Sequence, residues 1–280
     1  MIHDPVCRHD DPRINGVAKA DASTPAPASP RRTLPDICLE LRSKIDAFLC
    51  EQIDDDVLRN VQNQVRVSMG VIGEALRRYG ADTGLLARLG FSLSFSSTRP
   101  SCAQAAVAAG IRIRSPPNPD APDRPLQAIY IVSAHPFSEV EDFVASSADQ
   151  YRLDLKRYAL PMRPALEAYL KDRPAIKAIF LGTRRTDPHG EFLSHFNPTD
   201  EGWPQFMRIH PVIDWHYVEI WAFIRHLRIP FCELYNRGFT SLGGVTDTRP
   251  NPALAVSGDA KKFRPAYELK DDDEERLGRD

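Results

Sequence analysis

From residue 126 to residue 227 the chain switches repeatedly between a strand period and a helix period, and this switching limits the possible folds more than any other feature. Leu126 to Val132 is a strand-like apolar run, Glu139 to Tyr151 has helical spacing, and Arg152 to Tyr158 alternates. Residues 163 to 173 read as a helix, 176 to 181 and Met207 to Ile213 as strands, and Trp215 to Leu227 as a helix. Alternation sends successive side chains to opposite faces of a strand, whereas helical spacing gathers apolar residues into one stripe. Strands that take turns with helices pair in parallel and need cover on both faces. The expected fold class is α/β, a parallel sheet with helices on both faces.

Upstream, Ile37, Leu41, Ile45, Phe48 and Leu49 predict a helix over Leu34 to Cys50, and Asp54 to Asp56 supply an N-cap for a second, longer one ending near Tyr79. Phe91 to Ser96 alternates and is expected to be the first strand; Cys102 to Ala109 suits a short helix, and residues 115 to 125 form a Pro-broken loop. Residues 1 to 33, rich in Pro, Ala, Ser and Asp without an apolar period, read as a disordered tail. They contain no apolar secretory core, and Asp4, Asp10, Asp11 and Asp21 argue against a mitochondrial presequence. The domain plan is a tail over 1–33, an α/β domain over 34–230, and an extension over 231–280 broken by Gly238, Gly243, Gly244, Pro250 and Pro252.

The formal net charge of −2 argues against a general nucleic-acid binder. No apolar run approaches the roughly 20 residues that span a bilayer, so no membrane partner is expected. Cys7, Cys38, Cys50, Cys102 and Cys232 are scattered and odd in number. That usage fits a reducing, cytoplasmic setting with no structural zinc, and no protein metal site is expected.

The chemistry concentrates where the run Ala178 to Leu181 stops at Gly182 and releases Arg184, Arg185 and Asp187. In open parallel sheets ligands bind beyond the carboxyl ends of strands, and the guanidinium fork matches phosphate oxygens. A phosphate site and an ordinary loop braced by an internal Arg–Asp pair are both compatible with these residues. DDDEER, residues 271 to 276, is by itself a solvated acidic run.

Several longer segments resemble the FAD synthases of the eukaryotic type, relatives of the phosphoadenylylsulfate reductases. They are Val61-Gln62 through Tyr79, IYIVSAHPFSEVEDFV (129 to 144), FLGTRRTDPHGEFLSHFNPTDEGWPQFMRIHPVIDWHYVEIW (180 to 221), LYNRGFTSLGGVTDTRPNPAL (234 to 254) and PAYELKDDDEERLGR (265 to 279). The resemblance implies a Rossmann-like, adenine nucleotide alpha hydrolase-like fold whose C-terminal extension covers flavin and phosphate. It implies transfer of AMP from ATP to FMN, giving FAD and pyrophosphate with Mg²⁺, in a monomer. It assigns catalysis to Asp187 and Arg184. ATP contacts fall to Phe95, Ser96, Ile131, Ser133, Gly182 and Arg184. FMN contacts fall to Asp200, Gly202, Trp203, Arg208, Arg276 and Arg279. Asp187 would either fix an Arg or assist Mg²⁺. Trp203 would offer a flat surface to the flavin or else pack in the core. Arg276 and Arg279 would share a face if the tail is helical.

One segment departs from the family. A loop like N-G-G-K-D should follow the first strand, its glycines admitting phosphate to backbone N–H groups. Here Ser97-Thr98-Arg99-Pro100-Ser101-Cys102 has neither Gly nor Lys. An altered gene segment, weak nucleotide binding and an inactive flavin-binding relative would each account for it. A sulfonucleotide reductase is a further alternative on the same fold, but that chemistry needs a nucleophilic Cys near the C-terminus, and the last one is Cys232.

Overall fold

The computed structural model describes residues 33–80, 83–88 and 125–279. Helix α1, Leu34–Cys50, starts at a capping box in which Thr33 accepts from the Asp36 amide and the Asp36 carboxylate accepts from the Thr33 amide. Helix α2, Asp56–Tyr79, is capped by Asp55, which accepts from the Leu58 amide at 2.8 Å, and it ends at Gly80 with φ of +56°. The remaining main elements are β1 (Thr83–Arg88), β2 (Leu126–Ile131), α3 (Ser138–Gln150), β3 (Leu153–Tyr158), α4 (Met162–Asp172), β4 (Ala178–Phe180), β5 (Phe196–Pro198), β6 (Met207–Ile209) and α5 (Tyr217–His226). Two short strands, β7 (Ala255–Val256) and β8 (Asp259–Phe263), form a separate ribbon.

The main sheet has the order β3-β2-β1-β4-β6-β5. All its pairings are parallel except β5 with β6. Strand order reverses between β1 and β4, and the carboxyl ends of strands at such a reversal are the usual ligand position in these sheets. Side-chain alternation divides the core. Ala128, Ala178, Phe180 and Ile209 meet Val71, Ile72, Ala75 and Leu76 of α2 on one face. Ile129, Ile131 and Ile179 meet Ala165, Leu166 and Tyr169 of α4 on the other, together with Phe206. The largest cluster joins α1, α2 and α5 to Cys232, Leu234, Tyr235, Leu242, Leu254, Ala266 and Leu269 of the C-terminal segment. No helix among the described residues is long and apolar enough to cross a membrane.

The first described strand is β1, Thr83–Arg88, a stretch in which no strand was expected, and it lies between β2 and β4 at the middle of the sheet. The Phe91 to Ser96 strand, the Cys102 to Ala109 helix and the altered Ser97 to Cys102 loop lie outside the described residues, as do the tail and both proposed ATP contacts Phe95 and Ser96. Within β1, a Cβ on Gly84 would stand 2.9 Å from the Tyr169 hydroxyl, so the glycine lets α4 lie close to the sheet. The antiparallel edge strand β5, Phe196–Pro198, is a further element without a sequence signal of its own.

Candidate active site

The loop after β4 turns sharply twice: the Asp187 amide donates to the Arg184 carbonyl at 3.1 Å, and the Gly190 amide to the Asp187 carbonyl at 2.8 Å. A side chain at Gly190 would overlap the Arg184 carbonyl, so this position has to be glycine. The turns bury Asp187 beneath Arg184. The Asp187 carboxylate accepts from the Arg184 amide at 2.8 Å and from its Nη2 at 3.4 Å. Arg185 points outward, pairing with Asp214 at 2.7 Å and donating to the Glu191 and Leu193 carbonyls.

Arg184 is 1% exposed and is met by the chain's far end. Its Nη1 donates to Asp272 Oδ1 at 2.9 Å and its Nη2 to Glu275 Oε2. Burial opposes the charge, but Glu275, Asp187 and Asp272 together outweigh it and raise the guanidinium pKa above its ordinary value. Asp272 also accepts from the Tyr217 amide at 2.7 Å, at the first turn of α5, and from His216 Nδ1 at 2.6 Å. A carboxylate there meets unpaired amides and the positive end of the helix dipole. The acidic run is therefore not a solvated tail. Two of its carboxylates lie against a buried guanidinium, an arrangement that sequence distance concealed.

Residues 272 to 279 are successive turns rather than a helix: amides of Glu275, Leu277 and Arg279 donate to carbonyls of Asp272, Glu274 and Arg276. Pairing of Arg279 with Thr248, and of the Arg249 amide with the Gly278 carbonyl, fixes that path instead. The Arg279 guanidinium lies on Gly243, where any side chain would overlap it. Its Nη2 reaches Asp247 Oδ2 at 3.4 Å, and its buried Nε has no partner among the described residues. Burial lowers its pKa, Asp247 raises it, and the neighbouring charge of Arg276 lowers it, with a net downward shift. The adjoining Gly244 backs onto the β2 end: a Cβ there would stand 2.9 Å from Ser133 Oγ and 3.0 Å from the His135 carbonyl, and the Val245 amide donates to that carbonyl at 2.8 Å.

The structure thus gathers Arg184 and Asp187 with Asp272 and Glu275, and places Ser133 beside the Gly243-Gly244 turn that carries Arg279. Ile131 and Gly182 are buried at or beyond the carboxyl ends of β2 and β4. The remaining predicted residues form a second group. Asp200 to Trp203 is a tight turn, with the Trp203 amide donating to the Asp200 carbonyl at 3.1 Å and Gly202 at φ of +79°. Arg208 pairs with Asp200 at 3.0 Å and donates to the Pro198 carbonyl at 2.8 Å. Trp203 is 38% exposed, so its ring is not core packing. This turn joins β5 to β6 at the edge where β6 begins, opposite the edge where Gly182 lies.

Residues 115–250 match the family model for the phosphoadenosine phosphosulfate reductase domain. A probable FAD synthase of Schizosaccharomyces pombe is 45% identical over 151 residues, 54% of this chain and 56% of that protein. The flavin adenine dinucleotide synthase of Saccharomyces cerevisiae is 36% identical over 139 residues, 48% of this chain and 45% of that one. The chain thus spans about half the length of these relatives. The crystal structure of Candida glabrata FMN adenylyltransferase in complex with FMN and the ATP analogue AMPCPP superposes with a TM-score of 0.77 at 23% identity, covering 88% of this chain and 97% of that one. The fold is the same.

Proposed function

We propose that the chain is an FMN adenylyltransferase, converting ATP and FMN to FAD and pyrophosphate, a reading supported by its similarity over about half its length to the FAD synthases of Schizosaccharomyces pombe and Saccharomyces cerevisiae. A phosphate oxygen of FMN attacks the α-phosphorus of ATP. The new P–O bond forms as the bond to the β-phosphate oxygen breaks, and pyrophosphate leaves with the electron pair. The attacking group is largely ionised at neutral pH, since the second pKa of a phosphate monoester is about 6. The protein therefore has to align two anions and neutralise charge, which positioned cations and amides can do.

Arg279 carries this reading. It is a buried guanidinium with an unpartnered Nε and one long carboxylate contact, lying on a glycine turn beside the β2 end and close to a second cation, Arg276. Such a site favours a phosphate. Ile131, Ser133 and Gly182 would meet the nucleotide at the strand ends. Asp200, Gly202, Trp203 and Arg208 would hold the flavin. Arg184, with its carboxylate partners, acts as a positioning residue that docks the segment bearing Arg276 and Arg279. Asp187 directs both carboxylate oxygens at Arg184, which fits fixing that Arg better than ligating a metal. Mg²⁺ would enter with ATP as part of the substrate. A cytoplasmic monomer belongs to the same proposal.

The test is incubation of the full chain with FMN and MgATP, following FAD and pyrophosphate. Equal release of both products is expected. Tight FAD binding without pyrophosphate release would overturn the enzyme reading. The reductase alternative has no support in Cys232, which is 1% exposed with its Sγ against the Glu139 carbonyl at 3.6 Å.

A further inference from the structure

His210 follows β6 directly and is 1% exposed, yet neither Nδ1 nor Nε2 has a hydrogen-bond partner among the described residues. A buried polar group without a partner is destabilising, and a ring with two unpaired nitrogens is unusual in a native core. Its backbone is well held: its amide donates to the His195 carbonyl at 2.9 Å, its carbonyl accepts from His195 Nδ1 at 3.0 Å, and the preceding Ile209 carbonyl accepts from the Leu181 amide at 2.8 Å.

Alternation fixes the side on which the ring lies. Met207 and Ile209 pack on the α2 face and Phe206 on the α4 face, so Arg208 and His210 belong to the α4 face too. Ile179 lies level with Arg208 across the β4–β6 pair, and Leu181 adjoins it on the same face next to Gly182. His210 therefore sits along the sheet between the two groups of the candidate site, with Asp200, Trp203 and Arg208 on one side and the turn after β4 on the other.

We propose that His210 is a flavin-positioning residue whose imidazole hydrogen-bonds the polar edge of the FMN ring system, holding the ring between Arg208 and the strand-end turn so that the FMN phosphate faces ATP. This rests on the FMN adenylyltransferase reading and deepens it. Burial, reinforced by the charges of Arg208 and His195, pushes the ring's pKa down to about 4, so at neutral pH it offers one donor and one acceptor. The uracil-like edge of a flavin presents both.

Binding of FMN and of AMPCPP to the full chain, measured separately by flavin fluorescence and by calorimetry, tests the proposal without turnover. His210→Ala should weaken FMN binding about tenfold, the scale of one hydrogen bond, and leave AMPCPP binding within twofold. His210→Gln should retain most FMN affinity. Methylation of the flavin at N3 should cost the wild type affinity and cost His210→Ala much less. FMN binding by a folded His210→Ala variant within twofold of the wild type would overturn the assignment, even with normal FAD production. Should the variants not fold, ¹⁵N spectra of the wild-type histidine rings during FMN titration decide: a shift at His210 supports it, and no shift refutes it. Absence of FAD synthesis with these FMN effects intact would overturn the enzyme reading alone.

Discussion

Arg184 and Arg279 are both buried arginines, 1% and 6% exposed at the side chain, yet their surroundings are electrostatically opposite. Arg184 meets three carboxylates, from Asp187, Asp272 and Glu275, and its charged form is stabilised despite burial. Arg279 meets one carboxylate at 3.4 Å and a like charge from Arg276, and its charged form is destabilised. A cation whose field is already cancelled holds protein parts together. A cation whose field is not cancelled gains most from an incoming anion. On this difference rests the proposal that Arg184 braces the fold while Arg279 faces substrate.

The largest expected effect is on stability. Arg184→Ala leaves Asp187 and Glu275 buried, with Asp272 beside them, and no cation between them. A loss of about 3–5 kcal/mol is expected, as for other broken buried pairs, read as a lower urea midpoint and looser C-terminal protection in hydrogen exchange. A loss below about 1 kcal/mol would mean that the three carboxylates are not held by this guanidinium.

Arg279→Ala should show the reverse profile. FAD formation is expected to fall by about 10²–10³ in kcat/KM, the usual consequence of removing one donor to developing charge, while the unfolding midpoint changes little. A large midpoint loss with normal specific activity would put Arg279 in the same class as Arg184.

His210 extends the comparison to a group kept neutral. Its folded pKa, about 4, lies below the ordinary value of 6.5. The unfolded chain therefore binds the extra proton first as pH falls, and stability is lost between about pH 6.5 and pH 4. The contribution is roughly 3 kcal/mol by linkage. His195 and Arg208 face the ring and set its shift together with burial. Urea midpoints against pH for the wild type and His210→Gln should diverge across that window. Parallel curves would show that the imidazole titrates as if it were exposed.

The smallest effect is expected next door to the first. Arg185→Ala breaks a pair with Asp214 in which both side chains are 44% exposed, and should cost about 0.5 kcal/mol or less. A loss comparable to that of Arg184→Ala would remove the distinction between the two neighbours.

Local signals made much of the fold readable. Thr33 with Asp36, and Asp55 before an amphipathic run, mark the starts of α1 and α2. Apolar runs marked β2 and β4, alternation marked β3, and Met207 to Ile213 read as a strand over β6. The centre of the sheet was not readable, because Thr83-Gly84-Leu85-Leu86-Ala87-Arg88 is rich in good helix formers and lacks alternation. Strand β5 is Phe-Asn-Pro, too short to carry a period. At the site, Arg184 and Asp187 stood out because a strand ended just before them. Their partners Asp272 and Glu275 did not, since an acidic run flanked by Lys270 and Arg276 looks like a solvated charged stretch and the Arg184–Asp272 contact spans 88 residues. Gly190 gave no signal beyond being a glycine in a loop. His210 gave none either, since a lone histidine in an apolar strand resembles ordinary core.

Asp272 ties three distant pieces of backbone to a single side chain: the turn after β4 through Arg184, the start of α5 through the Tyr217 amide, and the acidic run over 271 to 276 that carries it. During synthesis the middle of the sheet is made long before its counter-ions are. Until the ribosome has released residues 272 to 275, Arg184 has no Asp272 or Glu275 to meet and α5 lacks the carboxylate at its first turn. The turn after β4 and the start of α5 therefore reach their final charge balance only once residues 272 to 275 have packed against them.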